Sequence, residues 1–191
     1  MGARAADVDD GAAAKVEPRD AVSDIGPCLC GPVAVRGARP GDTLEIAIEE
    51  VQPGPWGWTY AARGIATNQL GQTAPLRPFL GTVGLAPRAG EQVCPWTPRG
   101  SGGNMDCREL VAGTVLYLPV MAEGGLLSVG DGHAAQGDGE LSGTAIECAM
   151  EEARGAAHAA AGCGGGRAAG EDEAKLQGKS PGWWAGALGC D

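Results

Sequence analysis

Residues 113–148 read GTVLYLPVMAEGGLLSVGDGHAAQGDGELSGTAIEC, and this stretch decides the fold. Thr114 to Val120 is a short apolar run of the kind that forms a buried strand. Gly124-Gly125 offers a hairpin turn, because glycine accepts the positive φ that such turns need. Leu126 to Val129 reads as its partner strand, and Thr144 to Cys148 as one more. Between them, glycine-rich turns carry Asp131, His133, Gln136, Asp138 and Glu140. Short apolar runs separated by such turns predict a mainly β protein with few short helices.

Working outward, Thr43 to Val51 alternates cleanly. Leu44, Ile46 and Ile48 face one way, and Glu45, Ala47 and Glu49 the other. Arg39-Pro40-Gly41-Asp42 just before it is a turn, since proline fixes φ and glycine tolerates positive φ. Val33 and Val35 suggest a short strand, as does the run from Phe79 to Leu85. Residues 53–78, which include PGPWGW at 53–58, read as a long loop, and residues 86–104 as turn-rich. After Met150 alanine, glycine and charge dominate, with a weak helix expected over 149–161 from alanine's preference. The chain divides into a disordered charged tail (1–24), a β domain (25–150) and a poorly ordered Ala/Gly-rich tail (151–191).

Composition narrows the function classes. Of 191 residues 43% are hydrophobic but only 4% aromatic, so the core rests on Val, Leu, Ile and Ala. The net charge of −10 repels phosphate backbones, which argues against nucleic acid as a partner. No apolar run approaches the roughly 20 residues that span a bilayer, and the N-terminus has no apolar signal core. A cytoplasmic protein is the expectation. The seven cysteines include no CxxC pair, so a thiolate zinc knuckle is not expected and most should be reduced thiols.

The candidate ligands between 104 and 147 are Asn104, Asp106, Asp131, His133, Gln136, Asp138, Glu140 and Glu147. Asn104 and Asp106 stand two apart, as do Asp131 and His133, so each pair shares a face of an extended segment. Together they offer one imidazole and several oxygens, a set for Zn²⁺, or for Ca²⁺ if oxygens dominate. A cation held there would serve hydrolysis of an amide, with Glu140 or Glu147 carrying the proton from water to the leaving nitrogen. Ordinary turns with solvated carboxylates also explain the spacing, and spacing alone favours them.

The runs SGGNMDCREL (101–110), GTVLYLPV (113–120), LLSVGDGHAAQGDGE (126–140) and GTAIE (143–147) resemble the acetamidase/formamidase family. So do GPVAVRGARPGDTLEIAIEEVQPG (31–54) and WGW (56–58) upstream. The resemblance implies a β-sandwich or jelly-roll-type core and a homodimer. It implies hydrolysis of a small linear amide, formamide or acetamide, to a carboxylate and ammonia. It also implies a divalent metal, zinc or calcium, held by Asp106, Asp131 and His133. Glu147 is implied as a ligand or the general base, Asn104 as orienting substrate or ligand, with Gln136 and Glu140 close by. Relatives often carry a histidine before the Gly-Pro-Val strand, where this chain has Pro27-Cys28-Leu29-Cys30. If that histidine contributes to the site, this chain lacks it; the loss of pattern after Met150 separately points to a truncated member. A catalytically inactive metal- or partner-binding β domain is the alternative.

Other nucleophiles weigh less. Cys107 and Cys148 read as small buried thiols rather than nucleophiles. Ser101 has no base placed for it. Trp56 and Trp58 read as packing residues, and His158 as exposed. One methyl group is worth only about 1–3 kcal/mol of discrimination, so the sequence does not choose between formamide and acetamide.

Overall fold

The computed structural model describes residues 27, 29–61, 64–66, 73–94, 96–141, 143–161 and 174–178. The segment expected as an N-terminal tail and the side chain of Trp56 lie outside the described residues. So does much of the expected C-terminal tail.

The strands are β1 (Leu29–Val33), β2 (Thr43–Ala61), β3 (Gly64–Ala66), β4 (Phe79–Gly84) and β5 (Gly102–Asn104). They continue with β6 (Val115–Pro119), β7 (Leu127–Gln136), β8 (Ala145–Ala160) and β9 (Ala174–Gly178). A 3-10 turn, Asp138–Glu140, is the one helical element among the described residues. All nine strands join one curled sheet through antiparallel pairings, in the order β3-β2-β8-β7-β4-β5, with β1 on β7, β6 on β2 and β9 on β8. The mainly β expectation holds.

The predicted turn before β2 forms. Arg39 N donates to Asp42 Oδ2 at 2.9 Å, Asp42 N donates to Arg39 O at 3.0 Å, and Gly41 has φ 96°. From there Leu44 and Ile46 enter the main core with Val35, Val83, Leu118, Val120, Leu127 and Ala157.

Four local readings are corrected. First, residues 53–61 are not loop, because β2 runs on to Ala61. Register shifts between Gln52 and Pro53, and between Pro53 and Gly57, absorb the prolines, whose missing N–H groups a regular ladder would not tolerate. Second, residues 149–160 are strand, not helix. β8 lies between β2 and β7, and Ala156 and Ala157 are buried in the process. Alanine's helix advantage is only a few tenths of a kcal/mol per residue, and pairing along a long sheet outweighs it. Third, β6 is not buried throughout: Leu118 is buried, but Val115 is 43% and Tyr117 58% exposed. Fourth, Gly124-Gly125 turns the chain, with φ of 76° and 67°, yet β6 and β7 are not partners. The turn is held instead by Val35 N to Gly124 O and Gly124 N to Ala38 O, both 2.8 Å.

Phe79, the chain's one phenylalanine, is fully buried and is the largest such side chain among the described residues. Phe79→Ala is expected to lower the free energy of unfolding by about 3–5 kcal/mol. Urea unfolding checks it, and a loss under about 1 kcal/mol would contradict the packing described. No helix among the described residues is long and apolar enough to cross a membrane, which leaves β-barrels unaddressed.

Candidate functional site

β4, β7 and β8 lie side by side and set the lateral order of the site. Phe79 of β4 pairs with His133 of β7, and His133 pairs with Glu147 of β8. β5 pairs with β4 and delivers Asn104 beside Thr82, with Asp106 two residues on.

His133 is 1% exposed. Its ring meets Phe79 edge-on, with centroids 5.2 Å apart and planes at 83°. Its Nε2 stands 3.5 Å from Asp131 Oδ1 and 3.3 Å from Glu147 Oε2. Two groups of potential ligands share it: Asp106, Asp131 and His133, and His133, Glu140 and Glu147, each with ligand atoms within 4.8 Å of one another. The expected residues therefore converge. Asp138, the remaining acid of the GDGE turn, belongs to neither group.

Asp106 is held on three sides. Its N–H donates to Gly81 O at 3.0 Å, its carbonyl accepts from Gln136 Nε2 at 2.8 Å, and its Oδ2 accepts from Asn104 Nδ2 at 2.9 Å. Asn104 Oδ1 in turn accepts from Thr82 Oγ1 at 2.7 Å. The remaining oxygen, Asp106 Oδ1, is buried without a hydrogen-bond partner. A buried carboxylate oxygen in that condition is costly unless something positive meets it.

Gly81 supplies the space. A Cβ there would stand 2.7 Å from Asp106 Oδ1, 2.7 Å from Asp131 Oδ2 and 3.1 Å from His133 Cε1. The gap above the glycine is thus walled by two carboxylates and an imidazole. An orphaned oxygen and a cradle that a methyl group would fill both fit a small cation. Backbone strain concentrates here too: Asp106, Asp131 and Glu140 have φ of 46°, 62° and 47°, a region non-glycine residues rarely enter.

The carboxylates act on one another. Burial, then the charge of Asp131, pushes the Asp106 carboxyl above its usual range. Burial, then Asp106, pushes Glu140 up to about 7. For His133 burial works the other way, but hydrogen bonding and charge from Asp131 and Glu147 win and raise it to about 11. In metal-free protein the ring is therefore a cation among acids.

Glu140 has a consequence for stability. An unfolded Glu gives up its proton near 4.5, while the folded one keeps it to about 7. The folded state thus binds more protons between those values, and its stability falls as pH rises through them. His133 adds stability that is complete below 6.5 and is lost as pH climbs toward 11. In chelator, Tm is expected to fall from pH 4.5 to 7, and Glu140→Gln to flatten that slope. Equal slopes in the two proteins would contradict it.

The other candidates are not gathered in. Cys107 Sγ lies 3.6 Å from Glu109 Oε2 and packs near Ile48, Val51 and Leu110. Burial pushes the Cys148 thiol up, and that of Cys30 to about 11. Cys30, Cys107 and Cys148 are free thiols, whereas Cys94 is disulfide-bonded. Ser101 is buried. His158 is half-buried on β8, with Nε2 3.5 Å from Glu45 Oε2, rather than free in a tail. The sequence reading missed Gly81, Thr82 and Phe79. Gly81 had a signal, since a lone glycine inside an apolar strand often marks a close approach.

Residues 85–151 match the model of the Acetamidase/Formamidase family. The acetamidase of Mycolicibacterium smegmatis is 47% identical over 45 residues, 24% of this chain and 11% of the relative. The formamidase of Methylophilus methylotrophus is 49% identical over 45 residues, with the same coverage. Among solved structures, an acetamidase from Bacillus halodurans superposes with a TM-score of 0.59 at 36% identity, covering 64% of this chain and 48% of that one. A predicted acetamidase/formamidase from Thermoanaerobacter tengcongensis gives 0.57 at 30% identity, covering 64% and 47%. The chain spans about half the length of these solved relatives and a much smaller share of the curated ones.

Proposed function

We propose, from the match of residues 85–151 to the Acetamidase/Formamidase family and from the geometry of the site, that the chain hydrolyses a short linear amide at a divalent-metal centre. The observation that carries the metal is the buried, unpartnered Asp106 Oδ1 facing the gap above Gly81. Asp106, Asp131 and His133 are the ligands, and Glu147, close to His133 Nε2, completes the set. Zinc suits one imidazole with carboxylates, and calcium is the oxygen-rich alternative. When bound, such an ion supplies the Lewis acidity that polarises an amide carbonyl and acidifies water.

The protein's own groups do the rest. Asn104 is engaged at both ends, by Thr82 and Asp106, so it orients the ligand rather than the substrate. Glu140, with its carboxyl near 7, suits the proton carrier at neutral pH. It takes a proton from the attacking water as the C–O bond forms. It returns that proton to nitrogen as the C–N bond breaks and ammonia leaves. A small amide, a cytoplasmic setting and a homodimer go with this reading. The exposed Val115 and Tyr117 on β6, which pairs only with β2 among the described strands, support a surface for a second copy.

Zinc-loaded protein is expected to release ammonia from formamide or acetamide, to lose that activity to a strong chelator and to regain it with zinc. No ammonia from any short amide would overturn the enzymatic reading, and zinc held without turnover would favour a metal-binding domain. Cys107→Ser is expected to leave the rate unchanged, and iodoacetamide not to inhibit. Loss of activity in either case would point to a thiol mechanism instead.

A further inference from the structure

We propose that Gln136 is a positioning residue that fixes His133 with its proton on Nδ1, which directs Nε2 to the metal. This rests on the metal reading above. It is carried by hydrogen-bond directions that leave no choice. The backbone carbonyl of Asp106 can only accept, so the group of Gln136 that meets it at 2.8 Å is the NH₂. The other end of that amide, Oε1, is thereby turned toward His133 Nδ1, 2.7 Å away. Oε1 also only accepts, so Nδ1 must carry a proton. In a neutral ring the lone pair then sits on Nε2, which faces Asp131 Oδ1 and Glu147 Oε2. A lone pair aimed at two carboxylates is stable only with a positive charge between them, as a proton or as a metal ion.

The backbone makes this contact available. His133 and Gln136 are three apart, and on a regular strand they would point to opposite faces. The β7–β8 register shifts between His133 and Ala135: these two positions oppose the adjacent residues Glu147 and Ile146. One extra residue, Ala134, is thus inserted, and the alternation reverses after it. The Ala134 carbonyl is held by Arg77 N at 2.9 Å, which pins the bulge. One neutral amide then ties the β7 ligand to the turn after β5 that bears Asp106. Polar partners of this kind, behind a ligating histidine, typically change metal affinity about 10–100-fold when removed.

The chain has two histidines, so a ¹⁵N-histidine spectrum shows two rings, and His158→Gln assigns them. In metal-free protein, the His133 Nδ1 proton is expected as a slowly exchanging signal. In zinc-loaded protein that proton remains and Nε2 carries none. Gln136→Met, similar in length but without hydrogen-bonding groups, is expected to lose the slow signal and raise the zinc Kd by about 10–100-fold. Gln136→Glu keeps the acceptor and is expected to keep the signal. A proton on Nε2 in the zinc-loaded wild type would overturn the proposal, and this needs no variant to fold. So would an unchanged Nδ1 signal in Gln136→Met. If the wild type binds no zinc, the metal reading falls, and the metal-free spectra still decide what Gln136 does.

Discussion

His133→Ala is expected to leave the chain without zinc and to abolish ammonia release from formamide, as a strong chelator should. His133 is the one residue common to both candidate ligand groups, so its loss dismantles both. It is also the positive charge that Asp131 and Glu147 face in metal-free protein. Removing one partner of a buried ion pair costs about 3–5 kcal/mol, so the variant should also be less stable. Asp131→Asn separates these effects, because it removes a ligand charge while leaving the imidazole packed on Phe79. It should bind zinc weakly yet stay closer to wild type in Tm. Zinc at wild-type affinity in both variants would place the metal elsewhere.

Gly81→Val is expected to abolish zinc uptake while the sheet survives. Valine favours strands by up to about 1 kcal/mol, so the secondary structure loses nothing. Its Cβ, however, would stand at 2.7 Å from one oxygen each of Asp106 and Asp131, in the space the cation would occupy. Gly81→Ala already introduces that atom and should weaken zinc by on the order of 10²-fold. Titration of metal-free protein with zinc, alongside far-UV circular dichroism, reads both quantities. Near-native circular dichroism with unchanged zinc affinity in Gly81→Ala would contradict the cradle.

The sequence carried the site better than the sheet. The i, i+2 spacing on extended backbone put Asn104 with Asp106, and Asp131 with His133, on shared faces. It was the resemblance of the runs around them that singled these residues out as a site, with Glu140 and Glu147 beside them. Their glycine neighbours also announced tight turns. Gln136 was legible only as a neighbour, since its reach to His133 depends on a bulge at Ala134 that no alternation pattern reveals. Gly81 and Thr82 lie about 50 residues from Asp131 and meet it only through the β4–β7 pairing, which is non-local. The start of β8, up to Cys148, was legible as a strand, but the rest was misread as weak helix because its Ala/Gly composition carries no strand signal, and its pairing partners decide its conformation. Likewise Gly124-Gly125 announced a turn, but not that β6 would leave it for β2.

Zinc K-edge X-ray absorption on the zinc-loaded chain reads the metal's ligands themselves. A first shell of nitrogen and oxygen only is expected, at about 2.0–2.2 Å, with outer-shell scattering from one imidazole. A sulfur shell near 2.3 Å would contradict it and move the metal to the cysteines. A shell without an imidazole would remove His133 from the centre.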